Sequence, residues 1–231
     1  MAGNVWEKMM FIFEWITRFS IVNLLWLFFN APIVYLVALL LLADNISQII
    51  TLFVTIFALS PIFIFPATSA MFGVVRKWVI GEDEIPLLRT YWKYYKENYV
   101  KSMIGGFVVA FLSLILAADF YYFSHRIPIM SGMCLVALAF LFVFALIFFC
   151  NTVHIDAKLY VCLKNSLFLL IATPIHALAI FIVSIIILYI SLEVFSFMIV
   201  LFMGTSIAYV SFFGYYKMFT KVKRIREEKR N

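Results

Sequence analysis

The sequence carries little charge. Only 13% of its 231 residues are Asp, Glu, Lys or Arg, against about 25% in soluble domains, while 66% are hydrophobic. Its long apolar segments also lack the polar face, repeating every 3.6 residues, that a helix of a soluble protein presents to water. These two absences exclude a soluble globular protein and indicate a chain that is surrounded by lipid.

Common catalytic and metal-binding patterns are also absent. The sequence has no Walker A loop, no H-E-x-x-H, no G-x-S-x-G and no C-x-x-C pair. Its three cysteines, Cys134, Cys150 and Cys162, are typical of small apolar packing residues. Cys150 and Cys162 lie near His154 and Asp156 at one predicted helix end, but the spacing of these four residues fits no standard metal site. We therefore predict a non-enzymatic protein with no cofactor and no metal.

Six long uncharged segments make up most of the chain. A helix needs about 20 mostly apolar residues to cross a bilayer, and the third segment reaches that length by continuing past Asp119. The sequence therefore predicts an all-α fold, a polytopic membrane helix bundle that forms a single integral membrane domain over 1–231. The six predicted transmembrane helices cover residues 19–43, 48–74, 102–123, 128–151, 165–191 and 194–216.

The basic residues predict the orientation of the chain. All of the 18 Lys and Arg residues except Arg126 lie in the N-terminal segment, the second and fourth gaps, or the basic tail 217–231. Such residues favour the cytosolic side of a membrane. The expected protein is therefore a multi-pass protein of the cell membrane with both termini cytoplasmic. The second segment contains Pro61 and Pro66, yet a re-entrant hairpin there would place most basic residues outside, so we expect it to cross.

A cytosolic amphipathic segment, residues 76–101, separates the second and third predicted spans. Pro86 suits the first position of a helix, and basic side chains occupy one face of the segment. The opposite face carries Leu88, Tyr91, Trp92, Tyr95 and Tyr99. This combination is typical of an interfacial helix among anionic lipid headgroups, and docking of a partner protein is a second interpretation that can hold at the same time. Both interpretations stand, and nucleic-acid binding is not expected.

A few polar residues lie within the predicted spans. Asn23 and Asn30 share one face of the first helix, and His176 follows Pro174 inside the fifth. Hydrogen bonding between helices is their ordinary role, with a proton relay or pore lining as the alternative for His176. Helices two and five both contain internal prolines, a pattern found around midplane sites of transporters. The alternative function is thus a small secondary transporter or channel with a site near Asn30 and His176.

Several short motifs occur in a recognisable order: N-L-L-W-L at 23–27, a proline-containing segment at 59–78, G-E-D at 81–83 and Y-Y-K-E-N at 94–98. This order resembles the YesL family of uncharacterised bacterial membrane proteins. Members are often encoded beside carbohydrate uptake and sensing systems, and no activity is established for them. The resemblance implies an accessory or regulatory protein linked to carbohydrate uptake. Its expected partners are a carbohydrate importer subunit or a sensor protein, and a homo-oligomer is left open.

Reporter fusions test the predicted topology. Fusions after Arg89 and after Arg230 should both read cytosolic, whereas fusions within 44–47 and 124–126 should read external. The reason is that moving a cluster of cations away from the anionic leaflet costs about 1 kcal/mol for each of them. An external signal from the Arg89 fusion, with the tail still cytosolic, contradicts the six-helix topology.

Overall fold

The computed structural model describes the backbone of residues 2–228 and, within it, the side chains of residues 6–224, 227 and 228. The predicted domain 1–231 and the predicted basic tail 217–231 extend further, so their residues 1 and 229–231 lie outside the described residues.

The regular structure of residues 2–228 is entirely helical, as the apolar segments predicted. A π-helical turn, Ile190–Val194, follows α7. The helices, in chain order, are α1 (Ala2–Phe29), α2 (Ala31–Leu41), α3 (Ile46–Val79), α4 (Leu87–Ser124), α5 (Pro128–His154), α6 (Leu159–Ala172), α7 (Pro174–Tyr189), α8 (Phe197–Leu201) and α9 (Met203–Glu228).

Five stretches of helix are long and apolar enough to cross a membrane. They are Trp6–Phe29, Ile46–Val79, Leu87–Ser124, Pro128–His154 and Pro174–Val194. Large apolar side chains are exposed along them, as expected where the surrounding medium is lipid rather than water. The chain is therefore an all-helical, multi-pass membrane protein. The predicted sixth span, 194–216, is divided between α8 and α9.

The amphipathic segment is not a separate helix. The sequence predicted it over 76–101, followed by a span over 102–123, but α4 runs without a break from Leu87 to Ser124. At 1.5 Å per residue, its 38 residues extend over about 57 Å, whereas the hydrocarbon core is roughly 30 Å thick. α4 is therefore roughly twice as long as a perpendicular crossing of that core requires.

Three of the predicted spans are interrupted. The first breaks at Asn30, ahead of Pro32 in the first turn of α2, and the fifth breaks at Thr173, ahead of Pro174. Proline at the start of a helix cannot continue the hydrogen bonding of the preceding turn, because it has no N–H to donate. Its ring also clashes with a backbone carbonyl of that turn. The sixth span breaks at Phe202, where no proline is present. Pro61 and Pro66, in contrast, lie inside an unbroken α3.

The core is formed by three helix segments that pack side by side. Residues 70–78 of α3, residues 143–153 of α5 and residues 208–218 of α9 contribute most of the buried apolar side chains. The adjacent Gly105 and Gly106 let α4 join this core, because a Cβ atom at these positions would overlap the rings of Phe148 and Phe65. α4 is thus held closely against both α3 and α5.

Candidate functional site

The aromatic face of α4 packs largely against its own chain. The ring of Phe29, at the end of α1, lies 5.2 Å from that of Tyr91, 5.6 Å from that of Trp92 and 4.6 Å from that of Tyr95, between centroids. Tyr91 is fully buried, and its hydroxyl donates a hydrogen bond to the carbonyl of Ala67 at 2.8 Å. The amino-terminal part of α4 is therefore fixed to α1 and α3.

Part of the predicted partner face nevertheless stays exposed. Leu88 is 67% and Trp92 46% exposed, while Tyr95 and Tyr99 are half-buried. Lys96 places its ammonium group 5.0 Å from the centre of the Trp92 ring. Leu88, Trp92 and Lys96 follow one another at four-residue spacing, which puts them on one side of the helix. We call these three residues the α4 stripe.

Asn23 holds the break between α8 and α9. Its side chain is fully buried, and Nδ2 donates hydrogen bonds to the carbonyls of Ile199 at 3.0 Å and Val200 at 2.7 Å. Its Oδ1 accepts a hydrogen bond from the backbone N–H of Thr205 at 3.2 Å. A broken helix exposes backbone groups that lipid cannot satisfy. One asparagine on α1 thus supplies both the donor and the acceptor that this break needs.

Asn30 and His176 are not brought together with Asn23 in one site. Asn30 is buried, and its Nδ2 donates to the carbonyl of Trp26 at 2.8 Å, within α1. Its Oδ1 has no hydrogen-bond partner among the described residues. His176 is half-buried on α7, which packs chiefly against α9. The roles predicted for Asn30 and His176 in a midplane site remain predictions.

An apolar cavity of about 420 Å³ lies among α1, α3, α4, α5 and α9. The polar side chains in its lining are Trp26, Thr68 and Ser113, and neither Asn30 nor His176 lines it. The Trp26 Nε1–H donates to Thr68 Oγ1 at 3.0 Å, and the Ser113 hydroxyl donates to the carbonyl of Ala110 at 2.8 Å. A sugar needs several polar groups aimed at its hydroxyls, so this lining suits an apolar occupant instead.

A polar network that the sequence did not indicate ties α5, α6 and α9 together. The Tyr215 hydroxyl donates to Asn151 Oδ1 at 3.0 Å, and Asn151 Nδ2 donates to Ser166 Oγ at 2.8 Å. All three side chains are buried. Asn151 ends the fourth predicted span, and its polar group in that apolar run is the one sequence signal that could have indicated a hydrogen-bonded contact.

The cluster of Cys150, His154, Asp156 and Cys162 does not resemble a metal site in the structure. Within residues 2–228, no group of three or more His, Cys, Asp or Glu side chains is arranged to hold a metal ion. Burial raises the pKa of the Cys162 thiol and is the largest effect on it. Lys101 lowers that pKa and Asp156 raises it, each by less than burial does. A raised pKa disfavours the thiolate, the form in which cysteine binds metals.

The arrangement of broken and continuous membrane helices around an apolar cavity defines a helical multi-pass membrane protein. Residues 19–120 match a family described as "Protein of unknown function, DUF624". This match, together with the similarity to the relatives described below, supports the YesL-type family of uncharacterised proteins that the motifs predicted. No solved structure is significantly similar to it.

Three similar proteins come from Bacillus subtilis (strain 168), and all are described as uncharacterized. YteU is 34% identical over 168 residues, which cover 71% of this chain and 64% of YteU. YesL is 24% identical over 161 residues, 69% of this chain and 65% of YesL. YesV is 37% identical over 59 residues, 26% of this chain and 28% of YesV. The matches span less than two thirds of the length of each relative.

Replacing Asn23 tests its role at the helix break. Asn23→Ala should destabilise the protein by about 1–3 kcal/mol, since it leaves buried backbone groups without partners. Thermal unfolding in detergent should show a fall in Tm of at least about 2 °C. Asn30→Ala is the matched control, because the side chain of Asn30 donates only to Trp26 in the preceding turn, and its Tm should change less. An equal fall in both variants contradicts this role.

Proposed function

We propose that this protein is a non-enzymatic accessory or regulatory membrane protein that binds a partner through the α4 stripe. The observation that carries the proposal is the packing of Phe29 against Tyr91 and Tyr95. This packing fixes the amino-terminal part of α4 and leaves Trp92 and Leu88 exposed on it. A large aromatic side chain presented on a rigid helix is the kind of residue that dominates binding energy in protein interfaces.

The proposed topology has six crossings, with α8 and the first part of α9 as the sixth and both termini in the cytoplasm. The distribution of Lys and Arg along the chain supports it. In this topology the connection 80–86 and the amino-terminal part of α4 face the cytosol. The basic side of α4 and the basic tail then lie beside anionic lipid headgroups, which attract them.

The partner that we propose is a carbohydrate importer subunit or a sensor protein. The resemblance to the YesL family supports this class of partner. The apolar lining of the 420 Å³ cavity also supports an accessory role, because a protein that moved sugars itself would need polar groups along its path. A second copy of the chain is a further partner that the same surface would accommodate.

The test of this proposal is affinity capture in mild detergent from cells that produce the tagged protein. The wild type should recover an importer subunit or a sensor, and the double variant Leu88→Ala with Trp92→Ala should bind it roughly 30-fold more weakly, since losing a tryptophan hot spot costs about 2 kcal/mol. Tyr95 is left unchanged because its ring packs on Phe29.

The matched control for this capture is Tyr160→Ala. Tyr160 is an exposed aromatic residue, 66% accessible, in the first turn of α6. Its replacement removes a similar apolar area from a different part of the surface and should leave the capture unchanged. Retention of every partner by the double variant, or equal losses in the double variant and the control, shows that the α4 stripe is not the docking surface.

The second candidate function is a small secondary transporter or channel. The observation that favours it is the interruption of two membrane helices, at Asn30 and at Thr173–Pro174. Interrupted helices expose backbone groups to a substrate near the middle of the membrane. In this candidate, Asn30 and His176 contribute the polar side chains of the site.

Flux into liposomes tests this second candidate. The purified protein should carry a sugar or an ion across the bilayer, and Asn30→Ala and His176→Ala should each reduce that flux, because each removes a proposed contact to the substrate. Empty liposomes and the Tyr160→Ala variant are the controls. Absence of flux across a broad panel of sugars and ions rejects the transporter and leaves the accessory function.

A further inference from the structure

Arg76 lies in the last turn of α3, half-buried, with two hydrogen-bond partners from other helices. Its Nε–H donates to Nδ1 of His154 at 3.4 Å, and its Nη1 donates to the hydroxyl oxygen of Tyr94 at 3.2 Å. A ring nitrogen that accepts a hydrogen bond carries no proton, and the tyrosine oxygen accepts its bond as part of an O–H group. Both partners therefore accept hydrogen bonds from Arg76, but neither carries a negative charge to balance its positive charge.

No carboxylate balances that charge either. Among the described residues, no Asp or Glu forms an ion pair with Arg76, and two acids on neighbouring segments are bound to lysines instead. Asp156 lies 3.7 Å from Lys101, and Glu82 lies 2.5 Å from Lys77. A cation that is partly removed from water is stabilised by a paired anion. The structure thus contains a half-buried guanidinium whose counter-charge the described residues do not supply.

The surroundings of Arg76 hold its partners in fixed positions. Gly73, one turn earlier in α3, lets Tyr94 lie directly on that helix, because a Cβ atom at position 73 would overlap the Tyr94 ring. The His154 ring is held edge-on by aromatic rings of α9, with Phe219 at 4.9 Å and Tyr215 at 5.6 Å between centroids. The site is therefore preorganised by α3, α4, α5 and α9 rather than built on mobile side chains.

We propose that Arg76, with Tyr94 and His154 as positioning partners, forms a binding site for a phosphate-type anion. A guanidinium has five N–H groups, and Arg76 uses two of them within the chain. Of the remaining three, one N–H on each terminal nitrogen can point the same way, and this pair is the flat fork that binds two oxygen atoms of one phosphate at once. The Tyr94 hydroxyl accepts from Arg76, so its own proton is available to a third oxygen.

Two sources can supply this anion. One is inorganic phosphate or a soluble phosphate ester, and the other is the phosphate of an anionic lipid headgroup in the adjacent leaflet. Both present the same oxygen atoms to the arginine fork. The site is separate from the α4 stripe, since Arg76 lies on α3 and Tyr94 is buried on another side of α4. Anion binding at Arg76 can therefore be tested independently of docking at the α4 stripe.

The experiment uses the full chain in a phosphate-free neutral detergent after lipid has been removed. Inorganic phosphate is titrated in one arm and phosphatidylglycerol in the other, and the unfolding temperature is followed by tryptophan fluorescence. Sodium chloride at matched ionic strength is the reference. A bound anion stabilises the folded state, so at least one probe should raise the Tm of the wild type by about 2 °C or more.

Two variants of the site and one control identify the contacts. Arg76→Gln should weaken the response to the effective probe by at least roughly tenfold in apparent affinity, because a charge-assisted fork is lost. Tyr94→Phe keeps the ring that packs on Gly73 and should weaken the response severalfold. The control Arg89→Gln removes the same charge from an exposed arginine of α4, which forms no ion pair within the part of the chain that the structure describes, and should leave the response intact.

Each result has a defined meaning. A response to inorganic phosphate that both site variants weaken supports a site for soluble phosphate compounds. A response to phosphatidylglycerol alone, weakened in the same way, supports a lipid headgroup site. If Arg76→Gln does not fold, the Tyr94→Phe variant decides. The proposal is overturned if neither probe raises the Tm beyond the salt reference, or if Arg89→Gln weakens the response as much as the site variants do.

Discussion

Lipid offers no hydrogen bonds, and this constraint governs how the helices of the bundle are arranged. A continuous helix satisfies its own backbone, whereas each break must find partners elsewhere in the protein. At the break between α8 and α9, Asn23 supplies those partners, with Nδ2 on the carbonyls of Ile199 and Val200 and Oδ1 on the N–H of Thr205. These hydrogen bonds tie the break between α8 and α9 to α1.

α4 packs closely against three other helices of the bundle, α1, α3 and α5. Its glycine pair lies against Phe65 and Phe148, and its amino-terminal part is fixed by Phe29 and by the hydrogen bond from Tyr91 to Ala67. Trp92 and this glycine pair belong to one unbroken helix, so a partner bound at Trp92 would be joined rigidly to the packing of α3 and α5. A rigid connection of this kind suits a protein that senses or stabilises a membrane partner.

The sequence was sufficient to predict the helical class, the membrane setting and the family, since these follow from long apolar segments and short local motifs. It was not sufficient for contacts between distant residues. Nothing in the periodicity links Asn23 to Val200, or Arg76 to His154, because each pair is joined only by the packing of separate helices. The aromatic face of α4 was visible in the sequence, but helical spacing alone does not tell which of its rings face lipid, partner or the chain itself. Only the structure shows that Tyr91 is buried and that Trp92 is exposed.

The central claim is that α4 presents one outward stripe for a partner while its neighbouring face is fixed inside the chain. Photo-crosslinking in living cells tests it most directly, with a photoreactive amino acid placed at position 92 or at position 91. The account predicts that the probe at position 92 forms a product with another protein, and that the probe at position 91 forms products within the same chain. Equal capture of another protein from both positions, or capture of none from position 92, would contradict it.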